Sequence, residues 1–326
     1  MPPKRVVNIP IAVVFDRPWY KIKRSNISFL KTYLKKVPKW VELTLKSFMT
    51  METNNRRARG ANYLSLGRSK IVFNIEGHAC SVEVMKNENK ARREYITDRL
   101  KKIGDPCGLV IPKQAYVIDV PNKGWCYYLQ QMKYCVNGDL LKEEPSVNQP
   151  IWLDYSNFSD MALTLQSLHR NGVYLLDIKP ENMLDCTCEG ESVFAFADLD
   201  DSVVREDESP KFSVTPGFGT AILFLENVPE NYEFIDWLCF AKSALEVAFR
   251  KTYQPYLKAD EKFLDNVRTS TDLTILHRCA EFLRGLESEK DSTGRTIDFF
   301  TDKKQREEKI ELMASFRNEN MINLKF

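Results

Sequence analysis

The stretch Gly172-Val-Tyr-Leu-Leu-Asp177-Ile-Lys179-Pro-Glu-Asn182-Met-Leu184 decides how this chain is read. In it a Lys and an Asn follow an Asp at offsets of two and five. Upstream, Phe158 to Arg170 sets Met161, Leu163, Leu165 and Leu168 among polar residues and stops at Asn171-Gly172, the pattern of an amphipathic helix with a glycine stop. Downstream, Val193-Phe-Ala-Phe196 is β-prone and runs into Ala197-Asp198-Leu199-Asp200. The polar triplet therefore falls in a loop between a helix and a strand. An Asp accepts a hydroxyl proton, a Lys neutralises developing phosphoryl charge, and an Asn ligates a divalent cation. A second Asp at a strand end is a hard oxygen ligand of the kind such cations prefer. Phosphoryl transfer needs these parts, because its catalysis is mostly positioning and electrostatics.

Outward from this loop the chain changes texture. Tyr63 to Phe73, Cys80 to Lys86, Ile111 to Val120 and Trp125 to Tyr134 are β-branched and aromatic runs separated by turn residues. Asn89 to Ile103, charged and without breakers, reads as a helix. Residues 61–135 thus predict a small antiparallel sheet with one helix, and 136–326 a helical region with a helical C-terminal tail. Within the latter, Trp237 to Phe249 is apolar enough to be buried. A β-rich part followed by a helical part is an α+β arrangement.

Residues 1–60 form a basic N-terminal extension, with 14 Lys/Arg against Asp16, Glu42 and Glu52. Its local net charge of +11 contrasts with −9 in the remainder. Ser25 to Met49 reads as a basic helix or pair of helices interrupted around Pro38, and Thr53 to Gly60 as a linker. The charge suits nucleic acid, anionic lipid or an acidic protein partner. The alternatives are a solvated face, or an element docked on its own domain through Phe29, Leu34, Trp40, Leu43 and Phe48. The longest early apolar stretch, Ile11 to Phe15, is too short for a signal-peptide core or a bilayer span. Eight cysteines in 326 residues suggest no disulfide framework, and Cys186 and Cys188 read as free thiols of a turn. These features predict an intracellular, cytoplasmic or nuclear setting without a transmembrane segment.

From Asp177 to Asn182 the loop resembles the catalytic loop of the eukaryotic protein kinase superfamily, in its Ser/Thr-type wording Asp-Leu-Lys-Pro-Glu-Asn with Leu changed to Ile. The resemblance implies a bilobal kinase-like fold, ATP with Mg²⁺ or Mn²⁺, and a protein substrate. It makes Asp177 and Lys179 catalytic and Asn182 and Asp198 metal ligands. Val82-Glu-Val-Met-Lys86 resembles the third-strand Val-Ala-Ile-Lys, making Lys86 the nucleotide-phosphate lysine and Glu94 its ion-pair partner. Tyr128 to Leu140 resembles the hinge, with Met132 as gatekeeper, Lys133 to Cys135 meeting adenine and Asp139 the ribose. Gly219-Thr220, Leu225-Glu226 and Asp236-Trp237 follow in family order, the last implied to tie down the catalytic loop.

The sequence also departs from the family. Leu64-Ser-Leu-Gly67-Arg-Ser-Lys70-Ile-Val72 keeps one glycine, Gly67, of the phosphate-covering loop; Gly67 and Val72 remain its nucleotide-binding candidates, and Lys70 offers a substitute charge. Leu175 and Leu176 replace the His and Arg before the catalytic Asp, and Asp200 replaces the Gly of Asp-Phe-Gly. The expected activity is transfer of the ATP γ-phosphoryl group to Ser/Thr hydroxyls of proteins; the alternative is a pseudokinase-type scaffold acting by contact.

Overall fold

The β-branched and aromatic runs become five antiparallel strands: β1 (Tyr63–Leu66), β2 (Lys70–Ile75), β3 (His78–Lys86), β4 (Gln114–Val120) and β5 (Trp125–Lys133). They lie in the order β1-β2-β3-β5-β4 in the computed structural model. It describes residues 24–53, 62–66, 70–105, 107–140, 156–206, 232–253, 282 and 284, with backbone only for 24–27, 52–53, 66, 156–157 and 248–253. The run Tyr63 to Phe73 thus supplies two strands, while Asn89 to Ile103 is the expected helix α3 (Lys90–Ile103).

Strand side chains alternate between faces, so each strand sorts its residues by parity. Ile71, Phe73 and Ile75 of β2, Cys80 and Val82 of β3, Tyr127 and Leu129 of β5 and Ile118 of β4 share one buried core. That core also holds Trp40, Val41, Leu45, Phe48, Met49 and Met51 of helix α2 (Lys39–Thr53). Leu30, from the preceding helix α1 (Arg24–Lys31), joins them. Phe48 meets the Tyr127 ring edge-on at 6.1 Å between centroids. The helix pair broken near Pro38 is as expected, but residues 39–53 are part of the sheet's core rather than an appendage to it. The opposite face carries Met85, Cys126 and Tyr128, with Val117 packed on them.

The chain divides into two compact units. The described residues up to Asp98, with Val110–Cys135, make the sheet unit; Arg99–Leu109 and the described residues from Val136 onward make the other. The second unit contains β6 (Gly138–Asp139), α4 (Ser156–Arg170), β7 (Val173–Tyr174), β8 (Met183–Cys188), β9 (Glu191–Phe196), β10 (Val203–Val204) and α5 (Tyr232–Tyr253). β6, β8 and β9 form one small antiparallel sheet, and β7 and β10 a two-stranded one. Phe240 of α5 sits edge-on to Phe158 of α4, Phe196 of β9 and Trp237 at 6.0–6.2 Å, an aromatic centre that holds these elements together. Against it runs the 107–109 segment. Phe196 N–H donates to the Gly108 carbonyl, and a Cβ at Gly108 would lie 2.1 Å from Thr164 Oγ1, so only glycine fits that approach.

Two expectations need correction or limits here. The expectation of no disulfide framework does not hold, and neither Cys186 nor Cys188 is a free thiol of a turn: Cys135 and Cys186 are disulfide-bonded, and Cys188 closes β8 in a disulfide with Cys107, their Cα atoms 5.6 Å apart. The partners are 81 residues apart, so no local spacing announces the pair. The expected linker, the Gly219-Thr220 and Leu225-Glu226 segments and the C-terminal tail lie outside the described residues. Among the described residues no helix is long and apolar enough to cross a membrane.

Candidate functional site

Helix α4 delivers the chain into the loop. Its last turn ends on Asn171 and Gly172, with Gly172 at φ +68° turning the backbone toward β7. Leu175 and Leu176 follow, both buried, and their N–H groups donate to one carboxylate, that of Asp236 in α5, at 2.8 and 2.6 Å. His169 Nε2 donates to the same group at 3.0 Å, so a fully buried Asp236 is surrounded by three donors. Leu176 is held at φ +59°, a left-handed conformation that a branched side chain adopts only when its surroundings impose it. Ile178 is buried, and the Ser243 hydroxyl of α5, which donates to the Cys239 carbonyl at 2.7 Å, lies 3.4 Å from the Ile178 carbonyl. Alternation about these anchors turns Asp177 and Lys179 outward, where each side chain is about one-fifth exposed (18% and 20%).

These two meet directly: Lys179 Nζ lies 2.7 Å from Asp177 Oδ2. A 3₁₀ turn at Pro180–Asn182, with proline at its first position, folds the chain back so that the Asn182 side-chain amide donates to the Asp177 carbonyl at 3.0 Å and to Oδ2 at 3.4 Å. The three loop residues singled out from the sequence therefore form one cluster. The β8–β9 hairpin then brings back the fourth. Met183 pairs with Phe196, and just outside that pair Ala197 N–H donates to the Asn182 carbonyl at 2.8 Å, leaving Asp198 next in the chain. Asp198 is exposed and left-handed (φ 57°, ψ 45°), opening the short turn Leu199–Asp201. Asp139 comes alongside through β6, opposite Leu184 of β8.

The donor set suits a hard divalent cation. The Asn182 carboxamide oxygen takes no part in the bonds described above, and the Asp198 carboxylate stands at the exposed end of the same hairpin. Both are oxygen donors, and a cation such as Mg²⁺ takes only one or two protein ligands, completing its shell with water and phosphate.

In the sheet unit, Val72 and Met132 share the face that bears Met85 and Tyr128, by strand alternation and register. Lys133 ends β5 and Cys135 is buried just beyond it. Gly67 lies outside the described residues. Lys86 does not meet Glu94. Its parity is that of Cys80 and Val82, the α2 side of the sheet, and its side chain, more than half exposed, lies 3.6 Å from Glu88. Helix α3 instead places Arg93 against Glu83, at 3.1 Å between two nearly buried side chains, while Glu94 is exposed. This Glu83–Arg93 pair and the His169–Asp236 bond were not anticipated. The first was legible in principle, since Glu83 and Lys86 differ in parity along one strand. The second joins residues 67 apart, beyond the reach of any local pattern.

No protein-family model matches the chain, and no curated protein matches it.

Proposed function

We propose that this chain is an ATP-dependent protein kinase of bilobal, kinase-like fold that phosphorylates Ser/Thr hydroxyls of protein substrates. The observation that supports it best is the convergence of Asp177, Lys179 and Asn182 on one another, with Asp198 returned to Asn182 by a hairpin. Asp177 would orient the attacking hydroxyl and accept its proton. Lys179, now bonded to Asp177, would turn its ammonium to the transferring group as negative charge develops there. Asn182 and Asp198 would hold Mg²⁺ or Mn²⁺, which when bound neutralises charge on the phosphate oxygens. Asp236 acts at one remove, fixing the backbone from which Asp177 projects. Val72, Met132 and the backbone of Lys133 to Cys135 would receive the nucleotide base, and Asp139 the ribose.

A radiolabelled-ATP assay on protein substrates, with Asp177→Asn and Asp198→Ala as controls, tests this reading. Transfer by the parent and its loss in both variants is the expected result. No transfer by a folded parent, or equal transfer by all three, would leave the contact-only scaffold as the better account. One feature favours that second reading: the lysine expected on β3 lies on the α2 side of the sheet.

A further inference from the structure

We infer that Lys70 of β2, not Lys86 of β3, is the lysine that steadies the nucleotide phosphates; this rests on the kinase reading above. The argument starts from parity. β2 and β3 pair without a break from Lys70↔Glu83 through Val72↔Ser81 to Ile75↔His78. Ile71, Phe73, Cys80 and Val82 face the α2 core, so Lys70, Val72, Ser81 and Glu83 face the other way. That second face is the one on which α3 lays Arg93 against Glu83. Lys86, at the end of β3, has the parity of the first face, and its ammonium lies 3.6 Å from Glu88.

Lys70 has what Lys86 lacks. It is 9% exposed, on the face that carries Val72 and Met132, two residues before Val72 in the same strand. Its cross-strand partner is Glu83, whose carboxylate Arg93 also engages at 3.1 and 3.3 Å. Directly opposed residues have Cβ atoms about 5 Å apart, so the Lys70 stem starts beside this pair. The strand-to-helix ion pair expected of Lys86 and Glu94 is therefore present with its charges exchanged: acid on the strand, base on the helix. A lysine entering this face from the neighbouring strand brings a second cation beside that pair, a compact point charge of the kind that meets phosphate oxygens.

The test compares Lys70→Met and Lys86→Met in the full chain, measuring affinity for MgADP and for adenosine, melting temperature, and peptide phosphorylation. Lys70→Met is expected to weaken MgADP about a hundredfold while leaving adenosine affinity unchanged. Lys86→Met should leave both within about twofold, and Lys70→Arg should recover part of the loss. A purely structural role for Lys70 would lower adenosine affinity and melting temperature together, and would count against the inference. In case Lys70→Met does not fold, the unaltered protein is treated with an acyl-phosphate derivative of ATP, whose acyl group transfers to a lysine amine near the phosphates as the nucleotide departs. Peptide mass spectrometry should find the acyl group on Lys70, suppressed by MgATP. Labelling of Lys86 instead, or MgADP loss confined to Lys86→Met, overturns the inference but leaves the kinase reading standing. A parent that binds neither MgADP nor MgATP overturns both.

Discussion

The carboxylate of Asp236 receives the backbone N–H of Leu176 at 2.6 Å, and Leu176 is held left-handed beside the residue proposed to do the chemistry. One buried acceptor thus holds a strained backbone in place by satisfying donors that burial would otherwise leave unpaired. Asp236→Asn keeps the volume but replaces an oxygen with an amide that cannot accept. One donor among Leu175 N–H, Leu176 N–H and His169 is then orphaned. The expected cost is about 1–3 kcal/mol of stability, read by denaturant unfolding, with a fall in phosphorylation at temperatures where the variant is still folded.

Asp177→Asn is expected to leave the melting temperature nearly unchanged and to abolish phosphoryl transfer. The side chain is partly exposed and the amide is isosteric, so the fold loses little beyond an ion pair worth about 1 kcal/mol or less. What disappears is the proposed proton acceptor. Single-turnover transfer equal to the parent's would reject Asp177 in that role.

Phosphate on the segment between Asp198 and Glu226 is not expected to be required for activity. On the proposed reading Leu176 stands where the protein kinases it resembles carry a phosphate-binding arginine, and it is buried and apolar. Phosphatase treatment should leave the rate within a few-fold. A hundredfold loss, about 2.7 kcal/mol of barrier, would show that another cation serves that function.

Deleting residues 1–60 is expected to destabilise the sheet unit. Phe48 is 1% exposed and shares its core with Tyr127 and Leu129. Phe48→Ala alone should cost about 3–5 kcal/mol. A truncated chain that melts with the parent would instead favour an extension that only recruits an acidic partner.

The thiols divide by chemistry. Burial pushes Cys80 and Cys126 up to about 11, so in the folded chain at pH 8 only about 0.1% of each is thiolate. Because the shift is upward, alkylation of these two by iodoacetamide should be negligible near pH 8 and should rise with pH toward 11. Reduction of the Cys107–Cys188 bridge should lower stability by roughly 2–4 kcal/mol, since it closes a long loop of the unfolded chain. Rapid labelling of Cys80 at pH 8, or a melting temperature indifferent to reductant, would contradict these readings.

What the sequence by itself determined is what short range controls. Asp177, Lys179 and Asn182 lie within six residues, so a proline-initiated turn is enough to gather them. Asp198 follows a β-prone run that was legible, but its partner strand Met183–Cys188 was not, because that stretch read as a turn. The antiparallel sheet, its helix and the buried helix that begins near Asp236 were legible for the same reason, in periods of two and of 3.6. Tertiary structure alone decided three things. Helix α2 covers one face of the sheet, because its apolar side chains needed a surface that only the folded strands provide. Cys188 met Cys107 across 81 residues because the fold brings the end of β8 against the 107–109 segment. And the pairing of β2 with β3, together with the choice of which face α2 would cover, put Lys70 beside Glu83 and Lys86 on the opposite side. In a strand a single residue's shift exchanges the faces, so the type of lysine-bearing segment was readable while the lysine's destination was not.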